Sequence, residues 1–425
     1  MSPMKAASRL KTVALFSLLF ICQRLSAQEY QQAQPAMFLH SNDRFGANLV
    51  SLLHEETPDR NIAIAPLPVS LAFAALLDKS GSTESNQEIV STFLWGKTFS
   101  MDIAGRMLLA RFEKPESNPG GASAFPSGRG GAAPGQFRPA KPAEMWLSTA
   151  FLYRGKGSIS QEFIDRVSRS FGFEFREVGK DASQAAILAD NWDLSLPMPP
   201  ITDLNHFWIT SFLHLRAFWS GNTFAYAKRE KREFKIRSGS PVQADFLTSE
   251  TKSYPYMHTN ELEAIVLPCG EASLLLVLPE QSTDISQLMA SMVKNSDMVE
   301  SSLKTQQGDV QLPLFNISYI GDFRGPMEKM GLHHIFHDTG TLMAMAPGEG
   351  GGVLQGVTQI SEISVDEQGI RADAGTTIRG IFGGIEGIQS PPFHMTLNRP
   401  FLFLIRDVAT NALLFTGVVM NPTAR

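Results

Sequence analysis

The sequence predicts an α+β fold in which several helices pack around extended sheet, and three observations carry that expectation. Residues 38–53 and 66–77 place apolar side chains at the three- and four-residue spacing of a helix face. Residues 144–153, 263–268 and 272–279 are short runs that read as strands. The chain then closes in two apolar runs starting at Arg399 and Ala412, joined across the polar pair Thr410 and Asn411, and by physics alone this is a buried hairpin. With 425 residues, 43% hydrophobic and 19% charged, the chain can bury a large core.

Taken in order, residues 1–27 read as a signal peptide. Lys5, Arg9 and Lys11 make a basic start, TVALFSLLFI from Thr12 is the apolar stretch, and Leu25, Ser26 and Ala27 form the end at which cleavage is expected. Bulky Ile21 before Cys22 argues against a lipid attachment site. The mature chain, 28–425, is then expected to be one exported domain, extracellular or periplasmic. Cys269 is its one thiol, which leaves core packing rather than a disulfide to hold it. At about 113–143 the domain is interrupted, because the 28 residues from Pro115 to Pro142 hold six Gly and six Pro with almost no apolar periodicity. This is a surface insert, slightly basic through Arg129, Arg138 and Lys141. A solvated linker is the first reading and a polyanion contact the other.

The net charge of -5 argues against nucleic acid or an anionic membrane as partner, and no later segment offers eighteen uninterrupted apolar residues for a membrane span. Catalytic motifs are missing: there is no GxSxG elbow, no HExxH, no phosphate-cradling loop and no CxxC pair, so neither an enzyme nor a cofactor is expected. His333 and His337 are four apart and share a helix face, but His334 and Asp338 point about a hundred degrees away. They read as surface or helix-end histidines, and no metal site is expected. The glycines of residues 348–352 read as a flexible turn.

The closing pair, RPFLFLIRD from Arg399 and ALLFTGVVMNP from Ala412, resembles the ending of the serpin (serine protease inhibitor) family. Other blocks match in the same order. NIAIAP at 61–66, followed by an apolar helix and STESNQEI, resembles the family's early strand and central helix. FLHLRAFW, ending at Trp219, resembles the strand that carries a tryptophan at the top of the main sheet, and LPCGEASLLLVLPE, ending at Glu280, resembles paired strands of a second sheet. The likeness covers nearly the whole mature chain. It implies helices around a large central mixed sheet with two smaller sheets, an exposed reactive loop, and a monomer.

Upstream of the closing hairpin, ISVDEQGIRADAGTTIRGIFGG resembles the family's strand, acidic turn and small-residue hinge leading into that loop. The resemblance implies a secreted suicide inhibitor: a serine protease cleaves the loop, is acylated, and is carried away as the hinge inserts into the main sheet. The alternative is a non-inhibitory serpin-fold binding or carrier protein. Glu367 and Gly369 fit the turn. Ile370, Ala372, Ala374 and Thr376 form one face of the hinge, apolar or small, while Arg371, Asp373, Gly375 and Thr377 form the other, which is the alternation an inserting strand needs.

The family has Thr or Ser and then Glu where this chain has Ile370 and Arg371, so a bulky Ile must find room early in insertion. In the sheet-opening region the family's two serines correspond to Ala65 and Pro68, its Asn to Ser211 and its His to Gln359. Trp219 marks the sheet top, and the stretch 191–219 is short for the helix and linker expected there. Counting forward from Gly369 puts the scissile bond near Gly383 and Gly384, with Phe382 to attract a chymotrypsin-like or elastase-like protease. Counting back from Arg399 puts it near Gln389 and Ser390. Cleavage at Arg379 by a trypsin-like enzyme would leave too short a strand.

Overall fold

In a computed structural model, residues 27–77, 84–95, 100–112, 144–153, 159–177, 207–220, 223–224, 226–294, 298–338, 342–343, 345–346, 352–372 and 391–424 are described. All but Ala27 of the expected signal peptide, the Gly/Pro-rich insert, most of the stretch before Trp219, and residues 373–390, where the reactive loop is expected, lie outside them.

The helical periodicity produces α1 (Ala27–Glu56), which buries Phe38, Phe45, Leu49 and Leu53 along one stripe. The next helix, α2 (Pro66–Leu76), is buried on every side except at Ala72, and its Pro66 sits in the first turn, where a missing N–H costs nothing. It is followed along the chain by α3 (Glu84–Thr92) and α4 (Met101–Phe112). Further along come α5 (Gln161–Phe171), capped by the Ser160 hydroxyl, then α6 (Ile285–Lys294), α7 (Met298–Ser302) and two short helices, α8 (Arg324–Lys329) and α9 (His334–His337).

Sixteen described strands form two sheets. They are β1 (Ile62–Ile64), β2 (Glu144–Tyr153), β3 (Glu174–Glu177), β4 (Phe207–Phe218), β5 (Glu230–Phe234), β6 (Val242–Thr248), β7 (Lys252–His258), β8 (Leu262–Cys269), β9 (Ala272–Pro279), β10 (Lys304–Pro313), β11 (Phe315–Asp322), β12 (Thr358–Val365), β13 (Gly369–Ala372), β14 (Phe393–Thr396), β15 (Phe401–Asp407) and β16 (Leu413–Val419). One sheet runs β11-β12-β13-β4-β2-β3, mixed because β2 and β3 are parallel. The other has ten strands in the order β1-β16-β15-β9-β8-β7-β10-β6-β5, with β14 parallel to β10. The two smaller sheets expected from the sequence are thus joined into one ladder. Long β10 makes the junction by pairing β7 with its first half and β6 with its last residues.

The closing hairpin forms as read. Every residue of β15 and β16 is buried, which is why Phe401–Ile405 and Leu413–Phe415 are apolar without alternation. Gly417 makes the contact with β1 possible: a Cβ there would lie 1.9 Å from the Ile62 carbonyl oxygen. Asn61 ties the chain end down, donating from Nδ2 to the carbonyls of Asn421 and Ala424 while its Oδ1 accepts from the N–H groups of Met420 and Asn421.

Candidate functional site: the hinge at the top of the six-stranded sheet

The segment Val365 to Ala372 folds as a tight turn between two strands. Asp366 Oδ1 accepts from the N–H of Gln368 (2.7 Å) and of Gly369 (3.2 Å), and the Asp366 N–H donates to the Gly369 carbonyl (3.0 Å). Gly369 then takes φ +150°, and a Cβ there would stand 2.0 Å from the Ala217 carbonyl oxygen, so a side chain is excluded twice over. This close approach lets β13 enter the sheet between β12 and β4. Gly369, Ile370, Arg371 and Ala372 pair with Phe218, Ala217, Arg216 and Leu215 on one side, while Ile370 and Arg371 pair with Val365 and Ser364 on the other.

Residues 369–372, where the hinge is expected to begin, form a strand within the sheet. Ile370 is completely buried, and its cross-strand neighbours are Ala217 and Val365. The small Ala217 provides the room that a β-branched residue needs. Ala372 occupies the register position opposite buried Leu215. The side chains of Arg371 and Ala372, and all of Ala374, Thr376, Phe382, Gly383 and Gly384, lie outside the described residues.

Two side chains hold the turn from above. Trp219, just beyond β4, donates from Nε1 to the Asp366 carbonyl (2.8 Å) and from its backbone N–H to the Gln368 carbonyl (3.1 Å), and its ring meets Phe224 edge-on at 4.9 Å. Arg229 forms an ion pair with Glu367. That bond holds the Glu367 carboxyl below its usual range and raises Arg229. Sequence reasoning singled out Trp219 and Glu367 but not Arg229, which lies among alternating charges at 228–233 with no local pattern to mark it.

Lower in the sheet, Gln359 of β12 grips the start of α2 with both ends of its amide. Its Oε1 accepts from the Ala65 N–H and its Nε2 donates to the Ala65 carbonyl, each at 2.7 Å, and the buried Ser361 hydroxyl approaches Oε1 at 3.4 Å. One amide supplies a donor and an acceptor together, so the polar groups at this position are satisfied without a histidine. Ser211 lies in β4 opposite Thr149 of β2, and its side chain lies outside the described residues.

The histidines near 333 do not converge on a common point. His337 Nε2 meets Glu328 at 3.0 Å, the His334 ring lies between Glu84 and Glu88 at 2.7 Å each, and His333 contributes its backbone N–H to Glu88.

A second feature was invisible to sequence reasoning. An apolar cleft between α1, α6 and the closing hairpin is walled by Val50, Met289, Met292, Leu402 and Leu413 and floored by Asp43 and Arg406. Arg406 is buried and pairs with Asp43 (2.8 Å) and Glu300. Burial outweighs Arg406 and pushes the Asp43 carboxyl up to about 6. Its Oδ1 is buried with no hydrogen-bond partner among the described residues.

The family model described as Serpin (serine protease inhibitor) matches residues 40–422, and the chain belongs to the serpin family. Among curated relatives, Serpin-Z7 of Hordeum vulgare is 28% identical over 238 residues, 53% of this chain and 58% of its own length. Iripin-2 of Ixodes ricinus is 23% identical over 431 residues, 97% and 98% of the two chains. The chain thus spans a little over half the length of the barley relative and nearly all of the tick one. Among solved structures, mouse protein-Z dependent protease inhibitor aligns with TM-score 0.72 at 17% identity, covering 94% of this chain and all of the other. Human thyroxine-binding globulin aligns with TM-score 0.70 at 20% identity, covering 92% and 100%. These likenesses establish the fold.

Proposed function

We propose that the chain is an exported inhibitor of serine proteases that traps its target once. Cleavage of the loop after 372 leaves the protease esterified to the new chain end, and the freed segment continues β13 down the sheet between β12 and β4. The observation that supports this most is the four-residue β13 itself, hydrogen-bonded on both sides with Ile370 buried. A strand already seated at the top needs no new register to propagate. Trapping by this route needs no catalytic group or cofactor from the chain. The expected bond is near Phe382, Gly383 and Gly384, and the expected targets are chymotrypsin-like or elastase-like.

Incubation of the purified chain with chymotrypsin-, elastase- and trypsin-like proteases, followed by denaturing electrophoresis and mass analysis of the released peptide, tests this. A complex that survives denaturation is expected, with a peptide starting near Gly383. Clean cleavage without a complex across the panel contradicts the reading. Changing Ala374 to Glu is expected to preserve cleavage and abolish trapping, because the inserting face would carry an unpaired buried charge costing several kcal/mol.

A second reading, a binding or carrier protein that traps nothing, draws support from the cleft with its unpartnered Asp43 oxygen and from the likeness to a globulin named for thyroxine binding. Saturable binding of an apolar fluorescent probe, lost when Val50 is changed to Trp, together with absent trapping, would favour it.

A further inference from the structure

We propose that His258, Glu263 and Glu280 form a binding site for a divalent transition-metal ion of the zinc type, at the edge of the ten-stranded sheet. The three come from consecutive strands. His258 ends β7, Glu263 lies directly opposite it in β8, and Glu280 follows β9, its N–H bonded to the Glu261 carbonyl at 2.8 Å. Backbone pairing therefore fixes all three stems. One ligand atom from each falls within 4.8 Å of the others, and His258 Nε2 stands 3.0 Å from Glu280 Oε1.

Two ligands on a tetrahedral ion with bonds of about 2.0 Å are separated by about 3.3 Å, so His258 and Glu280 already stand near that spacing and Glu263, within 4.8 Å, closes on them by side-chain rotation. The Tyr256 hydroxyl approaches Glu263 Oε2 at 3.4 Å, an outer contact of the kind that orients a ligating carboxylate. Charge also favours an ion. Among the described residues Arg399 pairs with the cluster at 3.9 Å from the other oxygen of Glu280, while its Nε donates to the Pro279 carbonyl and its Nη1 to Asn398, so two carboxylates face one guanidinium. A ring nitrogen with two carboxylate oxygens suits zinc, cobalt or nickel, whereas magnesium and calcium favour oxygen alone. The His258 side chain is 55% exposed, which leaves a path for entry and a free position for water.

The test is calorimetric titration of tag-free, chelator-treated full chain with zinc chloride, alongside magnesium chloride. Saturable binding of one zinc equivalent that His258→Gln weakens at least tenfold is expected, with no response to magnesium. His337→Gln, a histidine outside the cluster, should leave the affinity unchanged. Glu280→Gln supplies a second ligand substitution and should weaken zinc binding as well. Absence of saturable zinc binding, zinc binding that His258→Gln leaves intact, or an equal loss in His337→Gln would overturn the site.

Discussion

At His334 both ring nitrogens face carboxylates, Glu84 on one side and Glu88 on the other, and Glu88 also accepts the backbone N–H groups of His333 and His334. The bond to Glu88 raises the imidazole above its usual value and lowers Glu88 below its own. The histidine contribution is therefore complete below the ordinary imidazole value and is lost as pH rises through the raised one. The Glu88 contribution is present above the ordinary glutamate value and lost in acid. Glu88→Gln keeps the backbone acceptor and removes the charge. The melting temperature of the native chain should exceed that of this variant near pH 6, and the gap should narrow toward pH 9. A constant gap from pH 6 to 9 would remove the ion pair from the account. Arg406 gives a second residue-scale case: changing it to Met leaves Asp43 buried without its partner. The expected loss is roughly 3–5 kcal/mol at pH 8 in denaturant unfolding, and less at pH 5, where Asp43 is protonated.

Among elements, β13 carries the most consequence. It is held by backbone pairing on both edges, by the Asp366 turn, by Trp219 and by the exposed Arg229–Glu367 pair. Gly369→Val should expel it, since the φ and the Ala217 carbonyl both exclude a branched side chain. The readout is Trp219 emission, which should shift red relative to the native chain, with a Trp219→Phe pair identifying its share of the signal. An unchanged Trp219 contribution would mean that β13 does not depend on this approach. Arg229→Ala, by contrast, removes a solvent-exposed pair and should leave the melting temperature of the chain nearly unchanged.

The same elements show what could be read from the sequence. Helix α2 and the hairpin β15–β16 were legible because burial on all sides leaves a local, continuous apolar record. The inward face of the hinge was legible at Ile370 because strand alternation has a period of two. The entry of β13 between β12 and β4 was not legible, since it depends on Gly369 meeting Ala217, which is far away in the sequence. Arg229–Glu367 and Asp43–Arg406 are separated by 138 and 363 residues, and neither leaves a local trace.

For the whole molecule, the proposed mechanism requires that β13, four residues long between β12 and β4, be the start of a strand that the chain has yet to complete. Completing the strand would add ladder hydrogen bonds and bury the small face of the hinge, so relief of the loop constraint should stabilise the fold. The free thiol does not complicate such a measurement, because Cys269 is fully buried and burial keeps it protonated. The most direct test compares thermal unfolding of the intact chain with that of the chain nicked by a protease in the 382–390 region, both freed of the enzyme. A clearly higher melting temperature after nicking is expected. Equal or lower stability of the nicked chain would contradict insertion, and with it the trapping mechanism.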